Sequence, residues 1–463
     1  MTAQPARPPA RPQPSPGAGI TGRHAPLLAA GGTLLAVLVL WVHGGGTDSL
    51  RLGGPVAVTA LGRLSGLVAA DLLLIQVMLM ARVPWIERAY GQDRLARWHR
   101  LVGFTSINLM LLHVVLITLG YAGTDRSHLL VEAWRLVTTY PGILLATAGS
   151  AALVMVAVTS VRVARARLRY ESWHLLHLYA YLGIGLSLPH EFWTGADFAP
   201  AAAQVFWWTL YVLTLGSVLA FRVGVPLWRS ARHRLRVEAV VPEAAGVTSV
   251  YLRGRHLDRL PVRAGQFFQW RFLGRRGWTR AQPYSLSAAP RSDLLRITVK
   301  DLGDGSGAVA GLRPGTRVLI EGPYGRLTGD VRRSRRLTMI ASGIGITPMR
   351  ALLEAEHYRP GDATLIYRAG RPEEFAFGRE IEWLERNRGV RVVYLPGRRG
   401  PGGSWLPADR HHDPVRALLR MAPQVASSDV FVCGPQPWMD AVVATLRAAT
   451  VPEEQIHVER FGW

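Results

Sequence analysis

Four histidines lie in or beside long apolar runs: His99 and His113 on one, His177 and His190 on another. A neutral imidazole can ligate haem iron axially, and two from facing helices can hold it from both sides. Ionisable groups at membrane depth are costly, which makes them functional candidates by default. Fourteen residues separate His99 from His113, about 21 Å along a helix, and at about 100° per residue they fall within about 40° of one another. Such spacing would serve iron at two depths. If the two runs are parallel helices, His99 pairs with His177 and His113 with His190. His177 and His190 are about 140° out of phase on an ideal helix, and Gly183, Gly185 and Pro189 could bring them round. His174 fits no better and reads as a packing neighbour. The plainer alternative is that such histidines only cross-link helices; two pairs on two runs weigh against it. Arg63, also in an apolar run, could neutralise an outer haem propionate or snorkel to the interface.

A second set of residues lies in the other half. Arg280, Pro283, Tyr284 and Ser285 form one cluster: arginine suits a diphosphate, tyrosine an isoalloxazine or ribityl face, serine a ring or phosphate oxygen. The glycine turn at 303–307, with Gly303 and Ser306, offers backbone amides and a hydroxyl suited to pyrophosphate. At 342–348 a short turn with Gly343, Gly345, Thr347 and Pro348 separates a buried strand from a helix, where a dinucleotide pyrophosphate meets amides and a helix N-terminus. It lacks the third glycine of the usual fingerprint, so alone it decides little. The second strand ends in Arg368 and Arg371 rather than an acid, which favours a 2′-phosphate and hence NADPH, with NADH still possible. Cys433, Gly434 and Pro435 follow a later strand, at the sheet edge where substrates bind; a buried structural thiol is the equal alternative. Phe461 and Trp463 in the tail could cover a flavin face.

Elements able to position these groups can be read from patterning. Six apolar stretches reach or approach spanning length: 26–42, 56–80, 101–121, 139–161, 173–189 and 201–221. Arg82, Arg88, Arg94, Arg97 and Arg100 follow the second stretch, and Arg162, Arg165, Arg167 and Arg169 the fourth; the opposite loops hold Arg51, Arg126 and Arg135. Positive residues stay inside, so both termini and the second half are expected in the cytoplasm. Short β-rich runs at 235–241, 247–253, 266–272, 294–300 and 317–321 suit a small antiparallel barrel. From 336 onward strands and helices alternate, at 337–341, 349–357, 363–367 and 430–432. The expected fold is a membrane all-α six-helix bundle fused to a cytoplasmic antiparallel β-barrel and an α/β nucleotide-binding domain. Its expected segments are a disordered tail at 1–24, the six-span domain at 25–225, the barrel at 232–330 and the α/β domain at 335–463.

Composition narrows the field. The chain has 463 residues, 49% of them hydrophobic, and a formal charge of +22. That charge is almost all arginine, with Lys300 the lone lysine, and much of it borders apolar runs. Membrane orientation accounts for it better than nucleic acid does. One cysteine excludes a disulfide framework and a cysteine-ligated iron–sulfur cluster, which leaves flavin, haem or another non-thiolate centre for redox work.

In order and type these signatures resemble the ferric reductase/NADPH oxidase superfamily, a six-span haem domain fused to a ferredoxin-reductase-type unit, over about 25–463. The resemblance implies bis-histidine haem b at His99/His177 and His113/His190. It implies FAD contacts from Arg280, Pro283, Tyr284, Ser285, Thr298, Val299, Lys300, Gly303 and Ser306. It places NADPH at Gly343–Thr347 with Cys433 by the nicotinamide, and stacks a C-terminal aromatic, Phe461 or Trp463, on the flavin. Animal superoxide-producing members carry another histidine one turn beyond the outer ligand; here that position is Ile117. The expected activity is electron transfer from cytoplasmic NADPH to a ferric or cupric chelate, or to dioxygen, outside a cell membrane crossed several times. A haem-less, membrane-tethered flavin reductase or redox sensor is one rival, and a donor to a partner membrane protein another.

Overall fold

The computed structural model describes residues 20–167, 170–274, 277–400, 403–408 and 413–459. The chain divides into two compact units, Met1–Leu219 and Ala220–Trp463.

Among the described residues the first unit is helical: α1 (Ile20–His43), α2 (Gly46–Leu52), α3 (Gly54–Met80), α4 (Pro84–Tyr90), α5 (Gln92–Asp125), α6 (Leu129–Thr139), α7 (Ile143–Ser160), α8 (Arg162–Arg167), α9 (Tyr170–Trp193) and α10 (Ala201–Val218). Among the described residues five helical runs are long and apolar enough to cross a membrane: His24–His43, Gly54–Met80, Arg94–Asp125, Ile143–Ser160 and Ala201–His233. At 24 residues α9 is long enough but is not among them. His174, His177, His190, Trp173, Tyr179 and Tyr181 dilute its apolar content.

Small residues let the helices approach closely, the usual device where packing rather than water exclusion joins apolar helices. Gly62 and Gly66 form a small-xxx-small stripe on α3; a Cβ on Gly62 would stand 3.1 Å from Ile117 of α5, and one on Gly66 2.5 Å from Nδ1 of His113. Gly149 of α7 and Gly183 of α9 meet likewise, a Cβ on Gly149 lying 2.6 Å from the Gly183 carbonyl.

The second unit opens with α11 (Val225–His233), whose Ser230 hydroxyl accepts from the Ile320 amide at 3.0 Å. Two three-stranded antiparallel sheets follow. One runs β1 (Arg236–Ala244), β2 (Val247–Arg253), β5 (Leu294–Lys300); the other runs β4 (Gln282–Ser285), β3 (Phe267–Phe272), β6 (Val318–Tyr324). Isolated bridges Arg236↔Arg317 and Leu286↔Ile297 link their edges. Alternating inward residues such as Val250, Leu252, Phe268, Trp270, Leu295 and Ile297 form one shared core. A short helix, α12 (Asp304–Gly307), closes the glycine turn.

The rest is a five-stranded parallel sheet in the order β11 (Ile456–Val458), β10 (Ser428–Cys433), β7 (Arg336–Ser342), β8 (Ala363–Ala369), β9 (Arg391–Pro396). The helices α13 (Ile346–Ala355), α14 (Gly378–Arg388), α15 (Pro414–Met421) and α16 (Gln436–Ala448) accompany it. β10 is buried along its whole length and β7 beyond Arg336, as a sheet covered on both faces requires. Apolar helical runs, two bridged antiparallel sheets and one parallel sheet together make the architecture.

Candidate functional site

The four histidines meet in two pairs. Ring centroids of His99 and His177 are 6.0 Å apart, and those of His113 and His190 are 6.2 Å apart. Two metal–nitrogen bonds of about 2 Å on opposite sides of one ion, plus the half-width of each ring, give a centroid separation of about 6 Å. The donor set and spacing therefore fit bis-imidazole ligation at each level. Every ring also has its Nδ1 engaged. His99 Nδ1 lies 3.1 Å from the Gln76 carbonyl and His113 Nδ1 2.8 Å from the Gly62 carbonyl, both on α3. His177 Nδ1 lies 3.2 Å from the Ser160 hydroxyl, and His190 Nδ1 2.8 Å from that of Thr194. An Nδ1–H donated to such an acceptor fixes the tautomer and leaves Nε2 with the lone pair that a metal needs.

The elements dictate these positions. Pro189, inside α9, lacks the N–H that would continue the helical ladder one residue before His190. Gly142, at φ 83°, precedes α7, and a Cβ there would stand 2.7 Å from the His190 amide nitrogen. Only glycine allows that approach.

Arg63 donates from Nε to Asp197 at 2.7 Å, and its Nη2 reaches the other carboxylate oxygen. A carboxylate from the chain itself thus grips this arginine, where the sequence pointed to a propionate or the interface. A cavity of about 280 Å³ opens beside it, lined also by Tyr121 and Tyr140.

In the second unit the separate motifs converge in two places. Gly305 packs on the first cluster: a Cβ there would lie 2.7 Å from Gln282 Nε2 and 3.9 Å from an Arg280 nitrogen. Tyr284 is half-buried on β4 and hydrogen-bonds Gln282, and its carbonyl accepts from Trp270. Pro283 is half-buried, and the buried Ser285 hydroxyl has no hydrogen-bond partner among the described residues, an orphan that a bound flavin would satisfy. Thr298 and Val299 are both buried, on opposite faces of β5: Val299 joins the core and Thr298 Oγ1 bonds Ser287 and Ser249 at 2.8 and 2.6 Å, so what they can offer a ligand is backbone. Lys300 pairs with Glu374 at 3.4 Å. Ser306 accepts from the Leu302 amide and donates to the Gly303 carbonyl, closing its own turn.

The second convergence is at the carboxyl ends of β7 and β10, which run in register so that Cys433 faces Ala341. A Cβ on Gly345 would stand 2.2 Å from the Cys433 carbonyl oxygen, and one on Gly434 3.0 Å from Ser342. Gly343 has φ 55° and leads into the 3-10 turn before α13; Thr347 and Pro348 are buried in its first turn, Thr347 Oγ1 donating to the Ile344 carbonyl. Pro435 precedes α16. Cys433 is wholly buried; burial first, and then Glu459, push its thiol well above the ordinary range. Arg368 donates to the Gly397 carbonyl and keeps a buried Nε without a partner among the described residues; burial and the charge of Arg399 disfavour its protonated form. Arg371 pairs with Glu374 on the surface. Phe461 and Trp463 lie outside the described residues.

Sequence reasoning missed several groups here. Arg296 is buried and donates twice to the carboxylate of Glu380 on α14, at 2.6 and 2.9 Å, while Arg350 of α13 joins the same carboxylate. No periodicity announces such a tertiary cluster. Thr194, four residues after His190, had a local signal; Ser160, on another helix from His177, had none.

Comparison with known proteins gives the same division. The family of the ferric reductase like transmembrane component matches residues 65–188, and the oxidoreductase NAD-binding domain matches 339–444. The ferredoxin reductase component of a 3-ketosteroid-9-alpha-monooxygenase from Mycolicibacterium smegmatis is 29% identical over 48% of this chain and 59% of its own length. A flavohemoprotein from Xylella fastidiosa is 29% identical over 51% of this chain and 59% of its own. The chain thus spans about three-fifths of the curated relatives it matches. Among solved structures, the FAD/NAD-binding domain of nitric oxide dioxygenase from Vibrio cholerae aligns over 50% of this chain and 99% of that one, at 25% identity and a TM-score of 0.40. The match to an oxidoreductase NAD-binding domain implies NAD(P)H binding in the second half.

Proposed function

We propose that this chain, a ferric reductase like transmembrane component fused to an oxidoreductase NAD-binding domain, carries electrons from cytoplasmic NADPH through FAD and two b-type haems to a small acceptor outside the membrane. The observation that carries this reading is the pairing of four imidazoles at two levels, each pair about 6 Å between centroids and each Nδ1 tied back to the helices. Bound flavin converts two-electron hydride chemistry into single-electron steps, and bound haem supplies conducting iron.

The chain's own residues then bind and orient. His99 with His177, and His113 with His190, hold the inner and outer iron. Arg280, Pro283, Tyr284 and the unpartnered Ser285 hydroxyl face the FAD, helped by backbone at Thr298, Val299, Lys300, Gly303 and Ser306. The turn of Gly343, Gly345, Thr347 and Pro348 holds the dinucleotide pyrophosphate at the α13 N-terminus. Cys433, Gly434 and Pro435 border the nicotinamide; Arg368 takes the 2′-phosphate that separates NADPH from NADH. Phe461 or Trp463 covers the flavin. Arg63, braced by Asp197, faces the outer cavity where an acceptor would arrive.

The same reading gives α9 a place as the sixth span, because its His177 and His190 pair with His99 and His113. It closes the two bridged sheets into one antiparallel barrel and divides the chain at 25–225, 232–330 and 335–463. Arginine placement puts both termini in the cytoplasm of a cell that carries this protein across its membrane.

A reduced-minus-oxidised spectrum of the purified full chain in membranes, with NADPH as reductant, tests the proposal. Two b-type components reduced by NADPH are expected; folded protein without porphyrin iron sinks it. Superoxide-dismutase-sensitive cytochrome c reduction without added metal would identify dioxygen as acceptor, and turnover only with ferric or cupric chelate would identify metal. Ile117 packs 3.1 Å from the Cβ position of Gly62, so no polar group from that position serves an oxygen pocket.

A further inference from the structure

The four Nδ1 acceptors fall into two classes. Both α5 histidines reach main-chain carbonyls, which no substitution removes. Both α9 histidines reach hydroxyls, Ser160 for His177 and Thr194 for His190. The hydroxyls differ in what else they do. Thr194 directs its proton to the His190 carbonyl at 2.8 Å, which leaves its oxygen to accept the Nδ1 proton, also at 2.8 Å. Ser160 sits 3.2 Å from His177 Nδ1 and also accepts from Trp173 Nε1 at 3.4 Å, so its oxygen is shared. Trp173 lies beside His177, with ring centroids 5.1 Å apart, and the Arg165 guanidinium lies over the indole, 4.4 Å from its centroid.

A ligand imidazole that gives its Nδ1 proton to a better acceptor donates more charge to its metal and stabilises the oxidised ion. We propose that the hydroxyls of Thr194 and Ser160 set the redox poise of the outer and inner pair separately, each by accepting the Nδ1 proton of the α9 histidine at its level. Thr194, with the shorter and unshared bond, holds its pair to the lower potential. Ser160 has the weaker effect, because Trp173 competes for the same oxygen. Both are positioning residues, acting through the histidine. The inference rests on the haem reading above.

The test is potentiometric titration of the full haem-loaded chain, following the α band of both components, with haem content measured alongside. Thr194→Val is expected to raise one of the two midpoint potentials by about 59 mV, a tenfold change in its reduction equilibrium. The other potential and the haem content stay as in the parent. Thr194→Ser restores the parent value. Ser160→Ala raises the other potential by less, and Ser160→Thr restores it. Two bound haems with unmoved potentials in Thr194→Val, or both potentials moving together, overturn the inference while leaving the haem reading intact. If valine disturbs haem binding, Thr194→Cys decides: a weak acceptor of similar shape must give an intermediate upward shift, and an unshifted value overturns the proposal. Parent protein that binds no haem fails at the earlier step, and this inference falls with it.

Discussion

In the apolar helices the candidate chemistry is carried by side chains, four imidazoles aimed by carbonyls and hydroxyls on neighbouring turns. In the second unit much of it is carried by backbone: glycines let one strand end press on another, and Gly345 meets the Cys433 carbonyl where any larger residue would collide. The contrast follows from the solvent each half is built for. A membrane interior supplies no water to satisfy polar groups, so each costly one must be paired and oriented. A parallel sheet with helices on both faces presents amides at its carboxyl edge, where removing side chains is what makes room for a dinucleotide.

Substitutions can break or sharpen that contrast. The largest effect is expected from His113→Ala, which should remove one of the two haem components and lower acceptor reduction by about 100-fold, while leaving NADPH-dependent reduction of a soluble flavin acceptor intact. Loss of both activities together would mean that the units do not work as separate stages.

Next comes Gly142→Ala. The added methyl meets the His190 amide at 2.7 Å and forces a positive φ on a residue with a side chain. It should destabilise the helical unit by about 1–3 kcal/mol and deplete the outer component before the inner. An unchanged spectrum and melting curve would show that backbone approach matters only in the second unit.

Third is Glu380→Gln. Burial pushes the Glu380 carboxyl upward, but Arg296 and Arg350 outweigh that and hold it below its ordinary range. A depressed folded value means the ion pair stabilises above the ordinary glutamate range and fades as pH falls through the folded value. Removing one partner strands the buried guanidinium of Arg296, expected to lower stability by about 3 kcal/mol at neutral pH. Thermal melts from pH 7 down to acid should converge between variant and parent; parallel curves would reject the role.

A smaller effect is expected from Arg368→Ala, with the ratio of kcat/KM for NADPH over NADH falling about tenfold as one charge-assisted contact is lost. An unchanged ratio moves the 2′-phosphate elsewhere. The smallest change concerns Cys433: its elevated thiol should resist alkylation at neutral pH in folded protein and react only on unfolding. Rapid labelling of the native chain would place it in an open site.

Legibility from sequence followed the same line. The histidines could be read because type and spacing survive in one dimension, and their pairing needed parallel runs and a departure from ideal helix between His177 and His190. The hydroxyl of Ser160 could not, since it belongs to a helix seventeen residues away from its partner. The strand Gln282–Ser285 is not among the expected strands, its residues being read there only as a ligand motif; it carries Pro283 and ends its three-stranded sheet, where proline is tolerated. Strands β9 and β11 were passed over, the first half-exposed and the second three residues long. The Arg296–Glu380–Arg350 cluster joins residues from three elements and leaves no trace in local pattern.

The polar load on α9 reaches beyond redox chemistry to how the protein is made. A segment rich in histidine, tyrosine and tryptophan is admitted reluctantly by the insertion machinery. Its Gly183 seats against Gly149 of the preceding, strongly apolar α7. The two are therefore expected to enter the bilayer as a hairpin, α7 carrying α9 in, so that damage at that glycine crossing would appear first as misinserted chains during biosynthesis.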